Sequence, residues 1–263
     1  MQWHLRKARQ QATKWQHSKN GIESYYREQG GENVLLLFTG EEMNKRNYQK
    51  ELEKIVEENQ RAGRVPRLFL HSCCAPCSSY VLEYLSQYFQ ITDFFYNPNI
   101  SPKEEYDKRT RELQRLIEEM PFLHKPEFVE GRYDPQEFFQ MAKGLEEVPE
   151  GGERCFKCYR LRLEEAAKMA ARGGYDYFTT TLTISPLKNA QKLNEIGEEL
   201  EKIYHVKHLP SDFKKKNGYK RSTELSREYG LYRQDYCGCV FSKRERERQK
   251  AGQEKSLAVN TIK

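Results

Sequence analysis

Short apolar runs alternate with longer amphipathic segments over most of the chain, a pattern typical of strands that are each followed by a helix. The runs that indicate strands are rich in aromatic, aliphatic or β-branched residues. Strands are therefore predicted at Arg67–His71, Ile91–Tyr96, Phe128–Val129 (the weakest), Tyr175–Thr181 and Val206–His208. Helices are predicted over residues 44–62, 76–85, 101–120, 156–172 and 188–204, and the rest of the chain is basic and helical.

Strands that alternate with helices of this length form a largely parallel sheet. The expected fold class is therefore α/β, with a mostly parallel sheet flanked by helices and a helical C-terminal part. The functional residues of such sheets collect beyond the carboxyl ends of the strands. Cys73 follows one predicted strand and Thr179–Thr181 ends another, so we expect both at one crevice.

The length of 263 residues suits one globular domain, and the polar composition adds solvated helix surface or a tail to that picture. Hydrophobic residues make up 37% of the chain, and the mean hydropathy is −0.96. Because the sequence has no run of about 18 apolar residues, we predict no transmembrane helix, no membrane partner and a cytoplasmic location. The net charge of +6 fits either a solvated basic surface or a polyanionic partner such as nucleic acid.

All cysteines of the chain fall into three tight clusters: Cys73-Cys74-x-x-Cys77, Cys155-x-x-Cys158 and Cys237-x-Cys239. Thiols that serve only as small core hydrophobes would scatter among the apolar runs. Cytoplasmic disulfides are rarely structural, so clustered thiols predict metal ligands, a dithiol redox couple, or both. His71, just before the first cluster, is expected to be a hydrogen-bonded core histidine rather than a ligand.

Two kinds of metal site are compatible with the first two clusters. Cys74, Cys77, Cys155 and Cys158 would supply the four ligands of a structural zinc site, but Cys73 and the third cluster would then be unexplained. Four thiolates gathered from distant parts of an α/β fold suit an iron–sulfur cluster at an active site better. Cys77 stays open as a ligand, a spare thiol or a ligand of a second metal.

The third cluster has a different chemistry. Cys237 and Cys239, separated by one glycine, can form only a small, strained disulfide ring, and strain makes a disulfide easier to reduce. A redox couple that cycles during turnover is the favoured interpretation, and two incidental cysteines near a turn are the alternative. The basic runs Lys214–Lys216 and Lys243–Arg248 are either solvated faces or phosphate contacts.

Several separated motifs carry a family resemblance: His71-Ser-Cys-Cys-Ala-Pro-Cys77, Phe95-Tyr-Asn-Pro-Asn-Ile100, Arg154-Cys-x-x-Cys-Tyr-x-x-Arg-Leu163, Thr179-Thr-Thr-Leu182 with Ser185-Pro186 and Lys188-Asn189, and Tyr232-Arg-Gln-Asp-Tyr-Cys-Gly-Cys-Val-Phe241. Over about residues 44–250 the chain thereby resembles the QueH type of epoxyqueuosine reductase. The resemblance implies a nucleotide-hydrolase-like (HUP-like) fold. It also implies an oxidoreductase that uses no cobalamin.

The activity implied by this resemblance is the reduction of epoxyqueuosine to queuosine at the wobble position of tRNA, the last step of queuosine biosynthesis. On that basis Cys73, Cys74, Cys155 and Cys158 hold a [4Fe-4S] cluster, and Cys237 and Cys239 act as the catalytic redox pair. Cys77 stands where some members of the family have Asp, so it is a further candidate metal ligand, with a second iron beside the cluster. The implied partners are the tRNA anticodon loop that carries epoxyqueuosine and an unidentified electron donor.

The N-terminal part of the chain departs from the family. The resemblance starts near Met43, and residues 1–42 have no counterpart in it. We therefore predict a polar N-terminal extension over residues 1–42, either disordered or absent from a native protein that starts at Met43. A single catalytic α/β domain over residues 43–250 and a flexible tail over residues 251–263 are predicted to follow.

Overall fold

The structure, a computed structural model, describes residues 46–253 in full, together with the backbone of three N-terminal strands and of the C-terminal helix as far as Thr261. The chain divides into two compact units, residues 1–47 and 48–263. In the first unit β1 (Lys14–His17), β2 (Glu23–Gln29) and β3 (Glu32–Phe38) pair as an antiparallel sheet in that order. The two alternatives for residues 1–42 stay predictions, because much of this segment lies outside the described residues.

The second unit alternates helices and strands. Its elements are α1 (Tyr48–Arg61), β4 (Arg67–Ser72), α2 (Ala75–Leu85), β5 (Gln90–Phe95), α3 (Lys103–Glu119), β6 (Glu127–Glu130), α4 (Pro135–Ala142), α5 (Glu153–Arg172), β7 (Tyr177–Thr180), α6 (Ala190–Tyr204), β8 (Lys207–His208), α7 (Gly218–Glu228) and α8 (Val240–Thr261). A 3₁₀ turn, Thr181–Ile184, directly follows β7. The predicted strands and helices all form, whereas α4 is not predicted.

The strands β4 to β8 form one parallel sheet in the order β6-β5-β4-β7-β8. This confirms the predicted α/β class with a parallel sheet. The chain runs outward from β4 through β5 to β6, then returns to place β7 on the other side of β4. The carboxyl ends of β4 and β7 therefore form a topological switch point, where a crevice opens in folds of this kind.

The central strand β4 is buried on both faces, which explains why the consecutive residues Leu68–Leu70 in its middle are all apolar. Leu68 and Leu70 point into a core covered by α2, α3 and α7, while Phe69 points into a second core covered by α5 and α6. Full burial of one leucine side chain contributes about 1.5–3 kcal/mol to stability. The two cores hold the sheet rigidly beneath its carboxyl edge, where the cysteines lie.

His71, at the end of β4, is completely buried and ties three strand ends together. Its Nε2 lies 3.1 Å from the carbonyl oxygen of Tyr96, and its Nδ1 lies 2.9 Å from Oγ1 of Thr180. Since a carbonyl can only accept, Nε2 carries the proton and the Thr180 hydroxyl donates to Nδ1. Burial, together with the charge of Arg162, lowers the pKa of His71 to about 3. The prediction of a hydrogen-bonded core histidine is confirmed.

The C-terminal helix α8 is long and polar. Its backbone continues through Thr261, beyond the predicted domain end at residue 250. The prediction that residues 251–263 are flexible is not tested by this helix and stays a prediction. Within the part of the chain that the structure describes, no helix is long and apolar enough to cross a membrane.

Candidate active site

The first cysteine cluster lies where β4 passes into α2. Cys74 is the residue before the helix, with extended backbone at φ −174°, and Pro76 occupies the first turn. The Sγ atoms of Cys73, Cys74 and Cys77 lie within 4.8 Å of one another, and those of Cys73 and Cys74 are 3.8 Å apart. Two thiolates on one tetrahedral metal, with metal–sulfur bonds of about 2.3 Å, would be separated to a similar extent. The strand-to-helix turn thus brings three thiols together.

The pKa values of these three thiols shift in different directions. Hydrogen bonds from Cys73 and Cys77 lower the pKa of Cys74, while hydrogen bonds with Cys73 and Cys74, together with burial, raise the pKa of Cys77. The hydrogen bond with Cys74 likewise raises the pKa of Cys73. Cys74 is therefore the thiol of the three that loses its proton most readily, and a metal cation bound by all three would displace the remaining protons.

The second cluster belongs to the start of α5. Cys155 lies in its first turn, where the backbone N–H of Gly151 donates to its Sγ at 3.3 Å. Cys158 is buried one turn later in a small apolar cluster that also contains Phe138 and Cys239. Burial raises the pKa of Cys158 to about 11. Among the described residues, Cys155 and Cys158 fall outside the group formed by the first three thiols.

The third cluster lies in the loop before α8 and is held by backbone contacts. Gly238 has φ +113°, and a β-carbon there would come within 3.0 Å of Arg109 and Ile100, so glycine is required. Arg109 donates to the carbonyl of Cys237 at 3.1 Å. The N–H of Ser242 donates to the Sγ of Cys239 at 3.4 Å. Both thiols are thus fixed in position, and burial raises the pKa of Cys239 to about 12.

Two cavities meet at Cys237. An open cleft of about 340 Å³ is lined by Cys73, Cys77 and Cys237. A small cavity of about 20 Å³ is lined by Cys155, Cys158, Cys237 and Cys239. All three predicted clusters therefore border this pair of cavities, with Cys237 common to both.

Two cations accompany the thiols. Lys188, half-buried after the 3₁₀ turn, places its Nζ 3.4 Å from the Sγ of Cys237. Arg162 is buried in α5 beneath both cavities. Burial opposes both charges, but Cys158 and Cys237 outweigh it at Arg162, and Cys237 and Tyr159 outweigh it at Lys188, so the pKa values of both side chains are raised. Both side chains therefore remain positive beside the thiols.

The sequence assigned no role to Lys188, Arg162 or Asn99, although each stands inside one of the quoted motifs. The only sequence feature that indicated a functional role for them was their position inside these motifs. Their roles depend on which distant residues they meet, and that information is absent from local spacing.

Of the two tyrosines near the third cluster, Tyr236 lines the cleft. The hydroxyl of Tyr232 instead lies 3.3 Å from the carboxylate of Glu105.

The family model described as "Epoxyqueuosine reductase QueH" matches residues 68–245, which include every cysteine of the chain. The chain belongs to the QueH family. Relatives named epoxyqueuosine reductase QueH include a Staphylococcus epidermidis protein that is 50% identical over 202 residues, covering 74% of this chain and 84% of the relative. A Streptococcus pyogenes relative is 45% identical, covering 74% and 78%. A Thermotoga maritima relative is 36% identical, covering 68% and 91%.

This QueH-family protein is an oxidoreductase, as the resemblance of its motifs implied. Its first cluster of thiols fits a metal, because three soft ligands converge on one point. Cys73, Cys74 and Cys77 can therefore hold a metal ion or cluster. Cys77, the member whose role the sequence left open, is part of the converging group.

Proposed function

We propose that the protein reduces epoxyqueuosine to queuosine in tRNA, the last step of queuosine biosynthesis. The observation that carries the proposal is that the three thiol clusters border two cavities that share Cys237, in a chain of the QueH family. The proposed substrate region is the anticodon loop. The proposed fold class is HUP-like, which the strand order and the crevice between β4 and β7 support.

Cys73, Cys74, Cys155 and Cys158 are the proposed ligands of a [4Fe-4S] cluster, with Cys77 as an additional ligand that would serve a second iron. Cys77 and Cys155 both pack against the apolar core that contains Cys73 and Cys74, which supports a shared centre. When bound, such a cluster would supply electrons one at a time. The buried cation Arg162 would offset the negative charge of the thiolates.

Cys237 and Cys239 are the proposed redox pair. Loss of two electrons and two protons from the two thiols forms one S–S bond. The same electrons and protons convert the epoxide into an alkene and one water, so the step is balanced. An external electron donor, unidentified, would then reduce the disulfide. Cys237 is the thiol that meets the substrate, because it lines the open cleft whereas Cys239 is buried.

The proposed RNA contacts surround the mouth of the cleft. Arg233, Arg246, Tyr219 and Tyr236 line it, which combines cations for phosphates with rings on which a splayed base can stack. Arg246 belongs to the exposed basic run Lys243–Arg248 of α8. Two members of the other basic run are engaged in ion pairs: Lys214 with Asp212 at 2.6 Å and Lys216 with Glu53 at 2.6 Å. Arg246 has a looser ion pair, with its Nε 3.7 Å from the carboxylate of Asp235, and it lines the cleft, so the α8 side is the favoured phosphate contact.

Replacing Arg233 and Arg246 together by glutamine is expected to weaken tRNA binding about tenfold or more at moderate salt. The slope of log affinity against log salt should become shallower by about 0.7 for each phosphate that the variant no longer neutralises. Filter binding over a series of salt concentrations measures both. Lys54→Gln, which removes an exposed cation on α1, is the control and should bind as the wild type does. An unchanged affinity and slope in the double variant would contradict this interface.

The proposed function is tested with protein purified without oxygen. It should be brown, absorb broadly near about 400 nm, and convert epoxyqueuosine tRNA to queuosine tRNA with a chemical reductant, as measured by nucleoside analysis. A colourless protein that holds about one zinc ion and leaves epoxyqueuosine unchanged would instead identify a zinc-stabilised RNA-binding module.

A further inference from the structure

The small cavity contains a buried amide that has no partner. Asn99, in the loop after β5, is 1% exposed, and neither its Oδ1 nor its Nδ2 has a hydrogen-bond partner among the described residues. Buried polar side chains are nearly always hydrogen-bonded to protein or to a bound ligand. An amide that faces a cavity with both of its polar atoms unpaired therefore indicates a site for a polar ligand.

A second unpartnered group points to the same place. Arg162 is 1% exposed, and its Nη2 also lacks a hydrogen-bond partner in the described part of the chain. Its other nitrogens are engaged: Nε donates to the Cys158 carbonyl at 3.3 Å, and Nη1 donates to Oδ1 of Asn97 at 3.3 Å. These bonds fix the guanidinium where it lines the cavity together with Asn99 and leave one donor free.

The chemistry of the lining defines the ligand. Arg162 and Lys188 supply positive charge and Asn99 supplies an uncharged N–H donor, a set that favours a small oxygen atom bearing negative charge. Cys155 and Cys158, the proposed cluster ligands, line the same cavity, so this oxygen would lie next to the proposed metal centre. The carboxylate of Glu150 also lines the cavity, but its Oε2 accepts a hydrogen bond from the Ser242 hydroxyl at 2.9 Å. A volume of about 20 Å³ holds a single water-sized group.

We propose that Asn99, Arg162 and Lys188 form the pocket that receives the oxygen atom leaving the epoxide. This inference rests on the proposed function and adds catalytic residues to it. The two C–O bonds of the epoxide break and a carbon–carbon double bond forms, while Cys237 and Cys239 become joined by an S–S bond. The oxygen takes the two thiol protons and leaves as water. Donors aimed at the developing negative charge lower the barrier without having to reorganise.

The position of Cys237 supports this path. Cys237 lines both cavities, so a substrate that enters through the cleft would meet this residue at the small pocket. Lys188, whose Nζ lies 3.4 Å from the Sγ of Cys237, is also a lining residue of both cavities. One ammonium group therefore serves the thiol and the departing oxygen in turn.

Asn99→Leu, nearly equal in size but without the amide, tests the pocket. With the metal-loaded protein we expect kcat to fall about 100-fold, with KM for tRNA and iron content unchanged. In Asn99→Asp, which places a carboxylate against the departing oxygen, kcat should fall further than in Asn99→Leu. Asn59→Leu is the control, since Asn59 is a buried asparagine of α1 outside both cavities, and it should retain the wild-type kcat. A kcat within twofold of an active wild type, or loss of iron from Asn99→Leu, would overturn the proposal.

A second measurement does not depend on turnover. A wild-type crystal soaked in sodium bromide should show an anomalous peak next to the Asn99 amide and Arg162, and a crystal of Asn99→Leu should not. If the wild type binds bromide there but does not reduce epoxyqueuosine, the proposed function fails while the anion pocket stands. If the wild type is active and no bromide binds, the pocket is wrong and the function stands.

Discussion

Replacement of Cys74 by serine is expected to leave the protein without its metal. The rate at which it converts epoxyqueuosine to queuosine should fall on the order of 100-fold or more. Cys74 is 1% exposed, and its sulfur lies 3.8 Å from that of Cys73 at the point where three thiols converge. Serine preserves the shape of the side chain but offers a hard, neutral oxygen where soft thiolates bind. Iron and labile sulfide per chain, with the visible absorbance spectrum, measure the loss.

Two comparisons separate loss of a ligand from damage to the fold. Ser78→Ala removes a buried oxygen from the same helix without touching a thiol, and it should keep its metal. Cys77→Ala should lose part of the iron, whereas Cys77→Asp, which keeps an anionic ligand, should retain more of it. Full iron and activity in Cys74→Ser would remove that residue from the ligand set. Full iron in Cys77→Ala would make Cys77 a spare thiol.

Replacement of Cys237 or of Cys239 by serine is expected to lower turnover on the order of 1000-fold while the metal content stays at the wild-type level. Each variant removes one half of the dithiol, so neither can form the S–S bond that delivers two electrons. The double variant should be no slower than either single variant, because residues that act as a unit do not contribute additively.

The thiol count gives an independent measurement. Reduced wild-type protein, allowed one turnover without an external reductant, should lose two titratable thiols as one disulfide forms. Peptide mapping should place that disulfide between Cys237 and Cys239. Gly238→Ala should also be slow, since its β-carbon would come within 3.0 Å of Ile100 and its φ of +113° suits only glycine. Rapid turnover by Cys237→Ser would show that the electrons reach the epoxide by another path.

Local sequence pattern predicted β4 and β5 well, because each is an apolar run with clear boundaries. The helix α4 escaped prediction, since eight residues span little more than two turns and leave no periodicity to detect. Its signals were local instead: Asp134 accepts a hydrogen bond from the N–H of Gln136, and Pro135 stands at the first helical position. Phe138 of this helix then covers Cys158 and Cys239.

The sequence by itself determined which side chains are candidates for metal binding or thiol redox chemistry. Cysteines one to four residues apart are brought close together by a turn or a helix. The sequence thereby predicted that Cys73, Cys74 and Cys77 lie close together, and its motifs identified the family, whereas the redox role of Cys237 and Cys239 stays a prediction. The tertiary structure decided which groups face one another across long stretches of chain. Only the sheet order, with β7 returned to the side of β4, sets Lys188 against Cys237 and leaves Asn99 unpaired beside Arg162. Such contacts are fixed by the packing of helices on both faces of the sheet. The spacing of residues within a short motif does not predict that packing.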